Sequence, residues 1–509
     1  MLNIKPDIKA DKYSYMEKKL KSWQGWLLFG GTMIVVFVLG VLAASINERR
    51  AEIASVINNK KVEIKGIEAV NEKFAPNYPR EYETWTQTAD TSFRSQFNGN
   101  QMVDVLEARP EMVILWAGYA FSKDYSTPRG HMHAIEDMRH TLRVGSPMTP
   151  DEGPQPATCW TCKSPDVPRM MQAIGVDNFY KGKWASMGTE IVNPIGCADC
   201  HEPENMNLHI SRPALIEAFQ RQGRDINKAT QQEMRSLVCA QCHVEYYFKG
   251  DGKYLTFPWD KGFTVEYMEA YYDEEGFADY THKLSRTPIL KAQHPDYELS
   301  MMGIHAQRGV SCADCHMPYK SEGGVKYSDH HIMSPLAMID RTCQVCHRES
   351  EETLRNNVYE RQNKANEIRN RLETELAKAH IEAKFAWDKG ATEDQMAPVL
   401  KLLRQAQWRW DFGVASHGGA FHAPQEIQRI LGNGLDKTMQ ARLAVSKVLS
   451  KLGYTDDVPM PDISTKDKAQ QYIGLDMAAE RQAKEKFMNT VVPEWIKEAK
   501  ANKRLADKI

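Results

Sequence analysis

The chain has no cysteine to spare. All 10 fall into five Cys-x-x-Cys pairs, which leaves none for disulfides. It also lacks an excess of charge of either sign. Its 65 Lys and Arg stand against 67 Asp and Glu, a formal charge of −2 at pH 7, so there is no ground for a nucleic-acid partner. Histidine is scarce, 16 among 509 residues, so where it stands carries information. With 42% hydrophobic residues the chain can bury a large core, and length alone would allow about three domains.

The five pairs are Cys159/Cys162, Cys197/Cys200, Cys239/Cys242, Cys312/Cys315 and Cys343/Cys346. In four of them the next residue is His: His201, His243, His316 and His347. Cys-x-x-Cys-His is the signature of covalent c-type haem attachment, with the His as proximal iron ligand. Paired Cys-x-x-Cys motifs also make zinc sites. Five pairs cannot couple two by two, however, and zinc does not require His after the second Cys. The expectation is five covalently attached haems. Haems are bulky and the motifs run from Cys159 to Cys346, so much of the core there is expected to be porphyrin, in one unit rather than several. In the first motif Lys163 takes the ligand's place. A lysine amine ligates iron only after losing its proton, an arrangement that makes sense where the opposite face of the iron is open. Four closed haems would then serve as wires and one as a reaction centre.

Attachment of this kind happens outside the cytoplasm, so the chain must be exported. Lys18, Lys19 and Lys21 precede an uncharged stretch, Ser22 to Asn47, whose apolar centre from Trp26 to Ile46 is long enough to span a bilayer. Lysines before it favour a cytoplasmic N-terminus, a bias that Arg49 and Arg50 weaken slightly. A retained anchor is expected in residues 1–50. A cleaved signal peptide, with Ala43 and Ala44 near the cut, and a buried soluble helix are the competing readings.

Residues 51–350 are expected to form the pentahaem region. It opens with a charged helical stalk from Glu48 to Glu72 and passes through a Pro- and Gly-rich stretch between Tyr125 and Pro168. Pro213 to Cys242 reads as helix interrupted near Gly223, and Lys249 to Asp260 as a small hairpin. Residues 351–509 are expected to be helical. Glu349 to Asp388 reads as one long amphipathic helix, Pro398 to Gly413 as a second, Ala423 to Leu452 as more helix broken near Gly432, and Gln471 to Asn489 as another, with a short piece after Pro493. The fold class is mainly α: a multihaem cytochrome c domain with long C-terminal helices and little β structure.

Four Cys-x-x-Cys-His motifs preceded by one Cys-x-x-Cys-Lys resemble the ammonia-forming cytochrome c nitrite reductases, a pentahaem periplasmic family. The likeness covers roughly Arg80 to the C-terminal helices. It implies six-electron reduction of nitrite to ammonium at the Lys163 haem, with Arg143 (Thr-Leu-Arg-Val-Gly), Tyr246 (Cys-His-Val-Glu-Tyr) and His294 (Lys-Ala-Gln-His-Pro) as pocket residues. Nitrite is an anion and its reduction consumes protons, which a guanidinium, an imidazole and a phenol can serve. The resemblance also implies one Ca²⁺ per subunit, held by Glu245, Gln293 and the backbone carbonyls of Tyr246 and Lys291, all hard oxygen ligands. It implies distal ligands too: His131 for the haem at His243, His305 for that at His347, His330 (with His331 adjacent) for that at His201, and His422 (with His417 competing) for that at His316. His133, His140, His209, His282 and His380 are expected to be structural or solvated. The implied partners are a membrane-bound multihaem quinol dehydrogenase or a soluble donor, and a second copy in a homodimer. Two alternatives stay open: a non-catalytic electron-transfer cytochrome, and a reductase of the same scaffold acting chiefly on hydroxylamine or sulfite.

Overall fold

A computed structural model describes residues 21–58 and 61–506; Lys18 and Lys19 lie outside them. The chain divides into two compact units, residues 1–60 with 323–325, and residues 61–322 with 326–509. The haem motifs and the C-terminal helices therefore share one unit.

In the first unit, α1 (Ser22–Asn58) carries the apolar stretch. Its segment Ser22–Arg50 is 29 residues long, apolar enough to cross a membrane by length and composition, and none of it is buried. The expected stalk does not run to Glu72: α1 ends at Asn58, and after residue 61 the backbone is irregular up to a single 3₁₀ turn, Asn71–Phe74.

The second unit is mainly α; the β structure among the described residues is three two-stranded sheets and a few isolated bridges. One of these is the hairpin of β1 (Tyr247–Lys249) and β2 (Tyr254–Thr256). The Pro213–Cys242 region forms α2 (Pro213–Arg221) and α3 (Gln231–Ala240). Gly223, at φ +70°, supplies the left-handed turn that ends the first. Thr230 and Glu233 start the second as a capping box. Another short helix, α4 (Asp296–Met302), follows His294.

At the C-terminal end, α5 (Glu351–Asp388) is one uninterrupted helix of 38 residues capped by Ser350. α6 (Glu393–Ala415) begins earlier than expected because Thr392 and Gln395 form a capping box ahead of Pro398. α7 (Pro424–Lys451) runs through Gly432 without a break. Its apolar stripe, including Ile427, Ile430, Leu431, Val445 and Leu449, is buried, and that outweighs the roughly 1 kcal/mol a glycine costs inside a helix. α8 (Met477–Ala501) likewise passes through Pro493, and Gly474, at φ +71°, separates it from the short helix before it.

A buried histidine pair ties α5 to the rest of the core. His282 and His380 stack with ring centres 3.8 Å apart. His282 Nε2 donates to the Ile114 carbonyl at 2.8 Å, and its Nδ1 accepts from the amides of Leu284 and Ser285. His380 Nε2 donates to Gln407 Oε1 at 2.6 Å, and its Nδ1 accepts from the Ser285 hydroxyl at 2.8 Å. Both rings are satisfied only as neutral imidazoles, and burial depresses the pKa of His282 to about 4. The unfolded chain would take up that proton near pH 6.5, so stability is whole above that pH and drains as the pH falls toward 4. His282 alone is expected to cost about 2 kcal/mol between pH 7.5 and pH 5. Denaturation midpoints across that range check this; a flat profile would contradict it.

Candidate functional site

The first motif sits on a 3₁₀ turn, Ala157–Trp160, within a buried aromatic wall. Trp160 stacks on Trp184 at 4.9 Å and donates its indole N–H to the Trp184 carbonyl. The buried Arg212 guanidinium donates to the carbonyls of Thr161 (2.5 Å) and Ser164 (2.9 Å), on either side of Lys163, and pairs with Asp199 between Cys197 and Cys200. One side chain thus holds two attachment motifs in register. Nothing in the local sequence around Arg212 marks it for this role.

None of the ten cysteines pairs in a disulfide. Motifs far apart in sequence abut: Cys162 lies against Cys242, Cys239 against Cys312, and Cys315 beside Cys343. The third motif, rather than the second, is the one whose thiol touches the Lys163 motif.

Two imidazoles on opposite sides of one metal, each with a metal–nitrogen bond of about 2.0–2.1 Å and about 1.1 Å more to the ring centre, stand roughly 6.2–6.4 Å apart. His201 and His330 are 6.2 Å apart, His305 and His347 6.3 Å, and His316 and His422 6.3 Å. His294 and His417 stand at 6.1 Å with rings 24° from parallel, but neither follows a cysteine pair, so distance alone does not nominate a ligand. Tautomer adds a second criterion. His201, His316 and His330 each donate Nδ1–H to a backbone carbonyl (Met206, Met333 and Ser328, at 2.7–2.9 Å), which leaves Nε2 as a lone pair for a metal. The Nδ1 atoms of His243 and His347 face carboxylates of Asp296 and Glu349 at 4.0 and 3.9 Å. These residues fit haem iron. Of the adjacent candidates, His330 faces His201, and His422, not His417, faces His316. His131 is half-buried, and desolvation above all lowers its pKa to about 4.

Gly418 makes the His422 position possible. A Cβ there would lie 2.3–2.9 Å from three atoms of the His422 ring. Gly418→Ala is expected to push His422 away from His316, so that a haem held by Cys312 and Cys315 between these two imidazoles would change from low to high spin in optical and paramagnetic-resonance spectra. An unchanged low-spin count would contradict the placement.

The four pocket residues come from separated segments. Arg143 and Lys163 both act electrostatically on Cys159, Lys163 acts on His294, and Tyr246 feels Cys159 and Cys162. Tyr246 and His294 have ring centres 6.5 Å apart. Their segments run side by side, laced by four hydrogen bonds: His294 N to the Val244 carbonyl (3.3 Å), Tyr297 N to the His243 carbonyl (3.0 Å), Glu245 N to Glu298 Oε1 (2.8 Å) and Gln293 N to Glu245 Oε2 (2.6 Å). Burial, then the thiols and Glu245, push the Tyr246 phenol well above its usual range, so it remains a proton donor. The Arg143 guanidinium lies on the Phe121 ring at 4.3 Å, and the Lys291 ammonium approaches the same ring at 4.9 Å.

Next to this pocket the interior is short of positive charge. Glu245, Glu298 and Asp411 are fully buried. Lys291, 2.8 Å from Asp411, is the cation among them. Burial raises Glu245 well above the carboxylate range, Glu298 to about 8 and Asp279 to about 7. Carboxylates gathered in this way fit a cation among them. Gln293 donates Nε2–H to the Lys291 carbonyl at 3.2 Å, which places its amide by that carbonyl and its backbone on Glu245. Among the described residues no three His, Cys, Asp or Glu side chains converge on one metal position. A set of one carboxylate, one amide and two carbonyls does not require that.

Comparison with known proteins agrees with this architecture. The model of the cytochrome c552 family matches residues 71–504. The chain is 88% identical over 494 residues to the cytochrome c-552 of Parabacteroides distasonis, covering 97% of this chain and 100% of that one. It is 46% identical over 493 residues to the cytochrome c-552 of Desulfotalea psychrophila, covering 95% of each. A solved cytochrome c nitrite reductase from Desulfovibrio desulfuricans, described for two calcium sites in its catalytic subunit, is similar with a TM-score of 0.73 and 29% identity, over 82% of this chain and 90% of that one.

Proposed function

Because the chain belongs to the cytochrome c552 family, in the fold of the cytochrome c nitrite reductases, we propose that it reduces nitrite to ammonium at the Lys163 motif. Six electrons and eight protons turn nitrite into ammonium and two waters. Haem c, when bound, would relay electrons from the external donor to the substrate, and Cys159, Cys162 and Lys163 would hold it. The observation that carries the reading is the meeting of Arg143, Tyr246 and His294 about the one motif that ends in lysine.

Each residue then has a task set by its chemistry. Arg143 binds and orients the anion through its N–H fork. His294 hands over protons, and Tyr246 donates a hydrogen bond from a phenol that burial keeps protonated. Glu245, Gln293 and the carbonyls of Tyr246 and Lys291 would hold one Ca²⁺, adding positive charge beside the substrate and joining the segments that carry Tyr246 and His294. His201, His243, His316 and His347, together with His330, His131, His422 and His305, would hold the other four haems. The abutting thiols of Cys162 and Cys242 would place a haem held by Cys239 and Cys242 next to the one held by Cys159 and Cys162. The helix Ser22–Arg50 would anchor the protein to the membrane with the catalytic unit on the periplasmic side. The reading includes a homodimer supplied by a membrane-bound multihaem quinol dehydrogenase or a soluble donor.

The test is nitrite-dependent oxidation of the reduced, fully loaded protein, with ammonium as the measured product. No turnover with five haems attached would sink the reading in favour of a plain electron carrier. Ratios of kcat/KM for nitrite, hydroxylamine and sulfite identify the preferred substrate.

A further inference from the structure

We propose that Thr141 and Asp124 form a clamp that aims the Arg143 guanidinium at an anionic substrate, Thr141 and Asp124 being positioning residues and Arg143 the group that touches the anion. The proposal rests on the reading of Arg143 given above and adds how that side chain is held. Arg143 lies on a 3₁₀ turn, Leu142–Val144, whose N-cap is Thr141. The Thr141 hydroxyl accepts from Arg143 Nε at 3.0 Å and from the Arg143 amide at 3.4 Å. Its own proton goes to the Asp124 carboxylate, at 2.9 and 3.0 Å from the two oxygens. Asp124 also accepts the Leu142 amide at 2.7 Å, and its Oδ1 lies 3.9 Å from Arg143 Nε.

The direction of these bonds matters. A threonine hydroxyl has one proton and two lone pairs. Giving the proton to Asp124 turns a lone pair toward Nε. Nε is thereby used up as an anchor, while the ring of Phe121 supports the guanidinium plane. The two Nη groups have no hydrogen-bond partner among the described residues. An end-on fork of N–H donors fits the two oxygens of a small planar anion. From the far side, Lys484 of α8 donates to the carbonyls of Arg139 and Gly145, so the turn is held at both ends. A long, flexible side chain is in this way oriented before substrate arrives, and the cost of ordering it does not fall on binding.

Thr141→Val keeps the shape and cuts both bonds. In the haem-loaded full chain with a reduced viologen as donor, it is expected to raise the KM for nitrite about tenfold, the effect of one lost hydrogen bond to a charged group. The dissociation constant for nitrite, read by optical titration of the oxidised protein, should rise equally while kcat and haem content hold. Hydroxylamine, uncharged above neutral pH, should change by less than about twofold, since it makes no ion pair with the fork. Thr141→Ser should restore nitrite affinity. Asp124→Asn, which leaves Thr141 in place but weakens its acceptor, should move nitrite the same way and serves if Thr141→Val does not fold. Unchanged nitrite affinity, or equal losses for nitrite and hydroxylamine, would overturn the clamp. A wild-type protein that binds nitrite without reducing it would instead overturn the functional reading, and the optical titration would still decide the clamp.

Discussion

Replacing His294 by Asn is expected to lower nitrite turnover by about 10²–10⁴-fold, the range for losing a positioned proton donor, with haem content and nitrite affinity retained. The imidazole has the features of a proton carrier. Its backbone is pinned to Val244, while its side chain has no hydrogen-bond partner among the described residues. Burial, above all, holds its pKa well below the ordinary imidazole value. It is therefore neutral at pH 7, with one N–H to give and one lone pair to be refilled. Asparagine keeps a hydrogen-bond donor at a similar position but cannot surrender the proton. A variant that still turned nitrite over at the wild-type rate would remove His294 from the mechanism.

Arg212→Met is expected to cost about 3–5 kcal/mol of stability, the range for removing one partner of a buried ion pair. The guanidinium satisfies the carbonyls of Thr161 and Ser164, the Ser211 hydroxyl and the Asp199 carboxylate at a site only 2% exposed. Methionine fills part of the volume and none of the bonding. Burial raises the Asp199 pKa and Arg212 opposes that rise, so the variant strands a carboxylate with its Gly196 amide bond as partial compensation. Guanidinium unfolding of the loaded protein measures the loss. Arg212→Met with Asp199→Asn should regain part of it, because the stranded charge is gone. A single variant as stable as the wild type would show that Arg212 does not hold the Lys163 motif.

The helical C-terminal region was largely legible in sequence. The apolar spacing from Leu354 to Ala383 runs through one 38-residue helix, and Gly223 ends a helix where expected. The misreadings share a cause. Gly432 and Pro493 are local helix breakers, yet α7 and α8 run through them. Burial of flanking residues such as Leu431 and Trp495 outweighs a local penalty of about 1 kcal/mol for glycine or about 3 for proline. At the other end, the charged segment after Asn58 has helix-forming residues but leaves the helix by residue 61.

By itself the sequence determined what is adjacent: the five Cys-x-x-Cys frames, the four that end in His and the exceptional one that ends in Lys163, because each is complete within five residues. Only the tertiary structure decided which imidazole faces which. His330 rather than His331 lies opposite His201, and His422 rather than His417 opposite His316. It also decided that the third motif is the one abutting the first, that Thr141 and Asp124 anchor Arg143, and that Arg212 spans two motifs. These relations join residues that are far apart in the chain or alternate at neighbouring positions. They are set by long-range packing, which leaves no periodic or compositional mark in the sequence around any one of them.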